Sequence, residues 1–275
     1  MKISQASKFL IVIVLMLLIG IPISLNAKEK YETYFDKGNA YYQKGKIDLA
    51  IQDYTKALEL NPQFPEAYCN RGKAYDDKGL FDLAIQEFNK ALELNPKLPE
   101  AYNNRGNAYD DKGKFDLAIQ DFTKALELNP KFPEAYYNRG NVYSEKKGQF
   151  DLAIKDYTNA LELNPKDSDA YYNRGRAYNK NHQLELAIQD FSKAIELNPG
   201  LSGAYMLRGA DYDNKDQHDL AIHDFSKMIE LNPKSALAYY LRGAVYNEMK
   251  NSEKAENDFK KAVELNPEYA KKPYQ

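Results

Sequence analysis

An all-α solenoid of stacked helix-turn-helix repeats is the fold this sequence predicts, and two observations carry the prediction. Asn-Pro recurs at Asn61-Pro62, Asn95-Pro96, Asn129-Pro130, Asn164-Pro165, Asn198-Pro199, Asn232-Pro233 and Asn266-Pro267, at steps of 34 residues with one step of 35. A fixed period of this size means that one supersecondary unit has been copied, and that neighbouring copies bury a core no single copy could bury alone. Within each period the apolar residues follow two helical faces rather than the alternation of strands.

The segment Pro65 to Leu98 serves as the type copy, numbered from position 1 at Pro65 to position 34 at Leu98. Pro65, Tyr68, Gly72 and Tyr75, at positions 1, 4, 8 and 11, lie on one face of a first helix. Phe81, Ala84, Ile85, Phe88, Ala91 and Leu92 do the same for a second. Asp76-Asp77-Lys78-Gly79 joins the two, with Gly79 expected at positive φ. Asn95-Pro96 ends the second helix, because proline disfavours helical geometry in the residue before it. Gly72 inside a helix costs about 1 kcal/mol relative to alanine, so its recurrence predicts a close approach of the second helix, with Ala84 and Ala91 facing it.

These residues resemble the tetratricopeptide repeat, whose pattern is a large aromatic at position 4, Gly at 8, Tyr at 11, Ala at 20, Phe or Tyr at 24, Ala at 27 and Pro at 32. Tyr68, Gly72, Tyr75, Ala84, Phe88, Ala91 and Pro96 meet it, and so do Tyr102, Gly106, Tyr109, Ala118, Phe122, Ala125 and Pro130. The resemblance implies a right-handed superhelical solenoid. Its seven copies span 31–64, 65–98, 99–132, 133–167, 168–201, 202–235 and 236–267, followed by a short tail, 268–275. The fourth copy carries one extra residue, placed in its Ser144-to-Gly148 turn, and Met228 replaces Ala at position 27 of the sixth.

Position 7 holds Lys37, Arg71, Arg105, Arg139, Arg174, Arg208 and Arg242, where the family is usually apolar. Position 23 answers with Asp53, Glu87, Asp121, Asp156, Asp190, Asp224 and Asp258. These are expected to be structural ion pairs, since one such charge buried alone would be strongly destabilising. The last helix is polar where its predecessors are apolar, at Ser252, Lys254 and Glu256, which predicts a solvated outer face.

Residues 1–27 stand outside the repeat. Lys2 and Lys8 precede an apolar run from Phe9 to Leu25, and Ala27 follows. This is expected to be a signal peptide or an N-terminal membrane anchor, and either sends the repeats out of the cytoplasm. The localisation expected is periplasmic or secreted, with anchoring in the inner membrane if residues 9–25 stay uncleaved. Cys69 is the single cysteine, so no internal disulfide is available. Without Lys2 and Lys8 the chain keeps 36 basic against 40 acidic residues, a net charge of −4 with no basic stripe, which argues against nucleic acid as a partner.

Positions 2, 6, 9 and 13 form a stripe opposite the buried face of each first helix. The resemblance implies that first helices line the concave face, so this stripe is the expected partner groove. It holds Glu66, Asn70, Lys73 and Asp77, then Glu100, Asn104, Asn107 and Asp111, then Glu134, Asn138, Asn141 and Glu145, then Asp169, Asn173, Arg176 and Lys180. The amides Asn70, Asn104, Asn138 and Asn173 form a column that could grip an extended peptide backbone. The stripe turns apolar at Leu207, Leu237 and Leu241, with Met206 and Tyr240 beside it, and this end is expected either to anchor an apolar side chain or to be covered by the tail around Tyr269 and Tyr274. The lysines that clamp an acidic C-terminus in some co-chaperones are absent from positions 2 and 5, and the flanking acids favour a neutral or basic segment.

Catalysis finds no support. His182, His218 and His223 read as solvated surface residues; His218 and His223, five apart, do not share a helical face, and no metal or cofactor is expected. Asp211 to Asp219 has Lys215 and Asp216 where a calcium loop needs a ligand and a glycine. Cys69 reads as a tolerated small residue rather than a reactive thiol. The expected function is thus that of a non-enzymatic scaffold binding an extended or helical protein segment, in cell-envelope assembly or, alternatively, as a secreted effector acting on other cells' proteins.

Overall fold

The computed structural model describes residues 25–271, so nearly all of the expected export segment, and Tyr274, lie outside the described residues. The chain divides into two compact units, Met1–Lys112 and Gly113–Gln275. The first contains α1 (Leu25–Gln43), α2 (Ile47–Leu60), α3 (Pro65–Asp76), α4 (Phe81–Leu94) and α5 (Pro99–Asp111). The second contains α6 (Phe115–Leu128), α7 (Pro133–Asn141), α8 (Phe150–Leu163), α9 (Ser168–Lys180), α10 (Leu184–Leu197), α11 (Ser202–Asp213), α12 (His218–Leu231), α13 (Ala236–Glu248) and α14 (Ser252–Leu265). No strand occurs among the described residues, and none of their helices is long and apolar enough to cross a membrane.

Within each unit a helix packs against its successor, so pairs such as α3 with α4 and α9 with α10 stack on the next pair. The core is made of small and aromatic residues at fixed positions. In the first unit Cys69, Ala84, Phe88, Ala91, Leu92, Ala101 and Ala108 form one cluster, and Ala50, Tyr54 and Ala74 another. In the second unit the corresponding clusters centre on Tyr157, Phe191 and Phe225. The glycine at position 8 serves the ring at position 24 rather than the alanines expected there. A Cβ built at Gly175 would lie 2.8 Å from the Phe191 ring, closer than packed atoms tolerate.

Asn-Pro acts through both residues. Asn95 N–H still closes the helix onto Ala91 O, while its side-chain Oδ1 accepts from Lys97 N, two residues beyond the break. The same side-chain bond recurs at Asn61, Asn129, Asn164, Asn198, Asn232 and Asn266. Proline stops the helix and asparagine satisfies the backbone that the stop exposes.

The extra residue of the fourth copy is absorbed earlier than expected. A five-residue π-turn, Val142–Lys146, continues α7, with Lys147 N bonded to Val142 O. Gly148 then takes a positive φ, 62°, as Gly45, Gly79 and Gly113 do at 68° to 71°. In the last three copies that place is held by His182, Asp216 and Lys250, at φ of 57° to 59°. A side chain there crowds the following carbonyl, a cost that glycine avoids. Lys250→Gly is therefore expected to raise stability by about 1 kcal/mol, and Asp216→Gly by less, since aspartate tolerates this region better. Thermal melts of the two variants check the order; an unchanged midpoint for Lys250→Gly would count against strain at this turn.

On α14, Ser252, Lys254 and Glu256 are exposed. A 3₁₀ turn, Pro267–Lys271, follows and brings Tyr269 onto Tyr240, with ring centroids 5.0 Å apart.

Candidate functional site

Each first helix is held by its position-7 arginine. Arg174 Nε and Nη2 donate to the two oxygens of Asp190 at 2.7 and 2.8 Å, and Nη1 reaches back to Thr158 Oγ1 of the preceding copy at 3.1 Å. Thr158 can accept because its own hydroxyl donates to Ile154 O, one helical turn earlier. The guanidinium lies between Tyr171 and Tyr178, 5.5 and 5.8 Å from their centroids, each such contact contributing about 0.5–1 kcal/mol. Arg139, Arg208 and Arg242 repeat the set with Asp156, Asp224 and Asp258, and with Thr123, Ser192 and Ser226. In the first unit Arg71 is bidentate to Glu87 and bonds Thr55, and Arg105 bonds Asn89. Asp121 is buried in the second unit.

Lys37 departs from this pattern. It is exposed and lies over the Tyr34 ring, while Asp53 pairs with Lys56 one turn along its own helix. Lysine offers no bidentate fork, so the first copy does not build the arginine arrangement.

A second ladder crosses the copies at their turns. Lys78 bonds Asp48, Lys112 bonds Asp82, Lys147 bonds Asp116, Asn181 bonds Asp151 and Lys215 bonds Glu185. These join position 14 of one copy to position 18 of the one before. The periodic columns were visible in the sequence, yet their pairing depends on how successive copies stack.

The groove stripe has Glu66, Glu100, Glu134 and Asp169 exposed at position 2. Its amide column is less available than expected, because the amides bond between copies. Asn70 Nδ2 donates to Asn39 Oδ1 at 2.8 Å, and the buried Tyr54 hydroxyl donates to the same oxygen at 2.8 Å. Asn141 Oδ1 likewise accepts from Tyr157 at 2.8 Å and from Asn173 at 3.3 Å, and Asn173 also donates to the Tyr137 hydroxyl. The signal was legible: asparagine stands at position 9 in both copies that carry Tyr rather than Phe at position 24. Asn104 Nδ2 points to Cys69 Sγ at 3.8 Å, and Asn107 and Asn138 are half-buried. Arg176 bonds Glu145 and Asn173, so its charge is turned along the stripe.

Two cavities open on this stripe in the first unit. One of about 390 Å³ is lined by Asn39, Tyr42, Gln43, Tyr54, Asn70 and Lys73. The other, about 200 Å³, is lined by Glu66, Cys69, Asn70, Leu98, Glu100 and Ala101, so Asn70 belongs to both. Burial pushes the Cys69 thiol up to about 11, which keeps it protonated and unreactive at neutral pH. At the ends of α3 and α5 the site is acidic. Burial, with the carboxylates of Asp111 and Asp77, raises Asp76 to about 6, and its Oδ1 is buried without a hydrogen-bond partner. A cation arriving here would be attracted by the whole group.

The apolar end is largely committed to the fold. Leu207 packs on the Phe191 cluster and Met206 and Leu241 on the Phe225 cluster. Tyr240 packs against the rings of Phe259 and Tyr269. Leu237 is exposed.

His218 is not the solvated residue expected. Its Nδ1 lies 3.0 Å from Asp213 Oδ1, with both side chains less than a quarter exposed. His223 is well exposed beside Asp224, and His182 is exposed in its turn.

Tandem helix pairs with these fixed positions define a repeat scaffold, and comparison with known families places it. The TPR repeat profile matches residues 38–79, 76–113 and 146–182, and tetratricopeptide repeat profiles match 99–132, 168–201, 236–269 and 122–155. The chain belongs to the tetratricopeptide-repeat family, whose members are generally non-catalytic protein-binding scaffolds. Among solved structures, it is similar to the MamA protein at 32% identity, with 62% of this chain and 93% of that chain covered and a TM-score of 0.54. YrrB, described as a TPR protein with an unusual peptide-binding site, is 29% identical over 67% of this chain and 95% of its own, with a TM-score of 0.59. A repeat protein from Cytophaga hutchinsonii, 23% identical, shares the fold over 85% of this chain and 95% of its own at a TM-score of 0.71. No curated protein matches the chain at a significant level.

Proposed function

We propose that this protein is an exported, non-enzymatic scaffold of the cell envelope that holds an extended, neutral or basic protein segment along its first helices. The observation that carries the reading is the stripe of α3 and α5, where exposed Glu66 and Glu100 flank two adjoining cavities that share Asn70. Cavities of this size suit single side chains, and an extended peptide places alternate side chains on one face. The acidic group of Asp76, Asp77 and Asp111 continues the preference for positive charge. YrrB supplies the precedent of a peptide site on this fold. Export is supported by Lys2 and Lys8 ahead of the apolar run from Phe9 to Leu25.

Fluorescence anisotropy with extended peptides of matched length and differing charge tests the reading. Peptides alternating lysine with apolar residues are expected to bind, acidic ones not, and the double change Glu66→Lys with Glu100→Lys should weaken the basic peptides at least tenfold by replacing attraction with repulsion. Both residues are exposed, so the fold is expected to survive. Binding indifferent to peptide charge, or unchanged in the variant, would move the site away from this stripe.

A further inference from the structure

At the junction of the sixth and seventh copies the turn ladder changes character. Position 14, which supplies Lys78, Lys112, Lys147, Asn181 and Lys215 to earlier junctions, holds Met249. No side-chain cation comes from that position. Position 17, apolar at Ile47, Phe81, Phe115, Phe150 and Leu184, holds His218. Asp213 ends α11, His218 begins α12 and Glu248 ends α13, and one ligand atom from each lies within 4.8 Å of the other two.

We propose that Asp213, His218 and Glu248 bind a divalent transition-metal ion, which ties the seventh copy to the sixth where the lysine of the ladder is missing. The donor set is one imidazole nitrogen and two carboxylates from three separate helices. That mixture suits zinc, cobalt or nickel, whereas calcium takes oxygen ligands only. In a tetrahedral site with bonds of about 2.0–2.2 Å, ligand atoms stand roughly 3.3 Å apart. Asp213 and His218 already stand 3.0 Å apart, and Glu248 is exposed and able to change rotamer. Water would complete the coordination. The ion would stand between Asp213 of the sixth copy and Glu248 of the seventh, close to the junction where Met249 leaves the position-18 acid, Asp219, without the ladder's lysine.

The test is calorimetric titration of zinc chloride into the untagged full chain after treatment with a chelator. One saturable site is expected for the wild type and for His223→Ala. His218→Phe, which restores the residue of the second, third and fourth copies and so preserves packing, is expected to lose the site while keeping its helical circular dichroism. Glu248→Gln should weaken binding by an order of magnitude or more. Cobalt(II) provides an independent reading, since coordination at the site gives d–d absorption in the wild type and none in His218→Phe. Absence of saturable zinc binding, wild-type affinity in His218→Phe, or wild-type affinity in Glu248→Gln would each overturn the proposal.

Discussion

Arg174→Leu is expected to destabilise the protein by about 3–5 kcal/mol, because it leaves the carboxylate of Asp190, which is 5% exposed, without its bidentate partner. The double change Arg174→Leu with Asp190→Leu is expected to cost markedly less. Burial holds the Asp190 carboxyl above the ordinary carboxylate range despite the guanidinium beside it, and does the same to Glu87 beside Arg71. Desolvation thus outweighs the attraction, so two apolar side chains can replace the pair at small cost while one cannot. Chemical denaturation of the single and double variants decides it. If the double variant unfolds as readily as the single one, the stacking of Arg174 between Tyr171 and Tyr178 outweighs its pairing.

The second large effect is a gain. Asp211 is 1% exposed at position 10, where other copies carry Ala74, Ala108, Val142, Ala177 and Val245. Asn179 donates to one of its oxygens, and the other, Oδ2, has no hydrogen-bond partner. Burial lifts its carboxyl from 3.8 to about 6. In the folded protein the charged form is disfavoured, so stability falls as pH rises from about 4 to about 6, and the whole penalty is present at neutral pH. Asp211→Ala is expected to gain about 1–3 kcal/mol at pH 7.5. The advantage over wild type should shrink as pH is lowered toward 4, where the native carboxyl is protonated. Thermal melts of both proteins at pH 7.5 and 4.5 provide the comparison, and an equal difference in midpoint between them at the two pH values would rule out the charge as the cause.

What the sequence disclosed follows from what repeats linearly along a chain. The period, the two helices of each copy, the positive φ at Gly79 and the helix stop at Asn95-Pro96 depend on contacts within a few residues, and all are present. Contacts between copies were harder to read, because they depend on the rotation of one helix pair against the next. The partners of Arg174 within its copy are aligned columns, whereas Thr158 lies 16 residues earlier on a different helix and has no charge to announce it. Likewise Asn70 lies on the groove stripe, but its amide is turned toward Asn39, a direction that no periodicity contains. His218 shares its helix with His223 in the sequence, while its neighbours in space, Asp213 and Glu248, come from two other helices. The extra residue near Ser144 was legible as an insertion, but only the backbone bond from Lys147 to Val142 shows that the helix, rather than the turn, absorbs it.

The ladders between copies have a consequence for how such a chain arises. Donors at positions 6, 7 and 14 meet acceptors at positions 9, 25 and 18 of the preceding copy, so one 34-residue segment carries both halves of every junction. Tandem duplication of the coding segment would create a matched junction at birth, with no need for compensating substitutions. Drift at one position then falls on a single junction rather than on the whole array. Met249 and His218 are two such changes, both confined to the junction of the sixth and seventh copies.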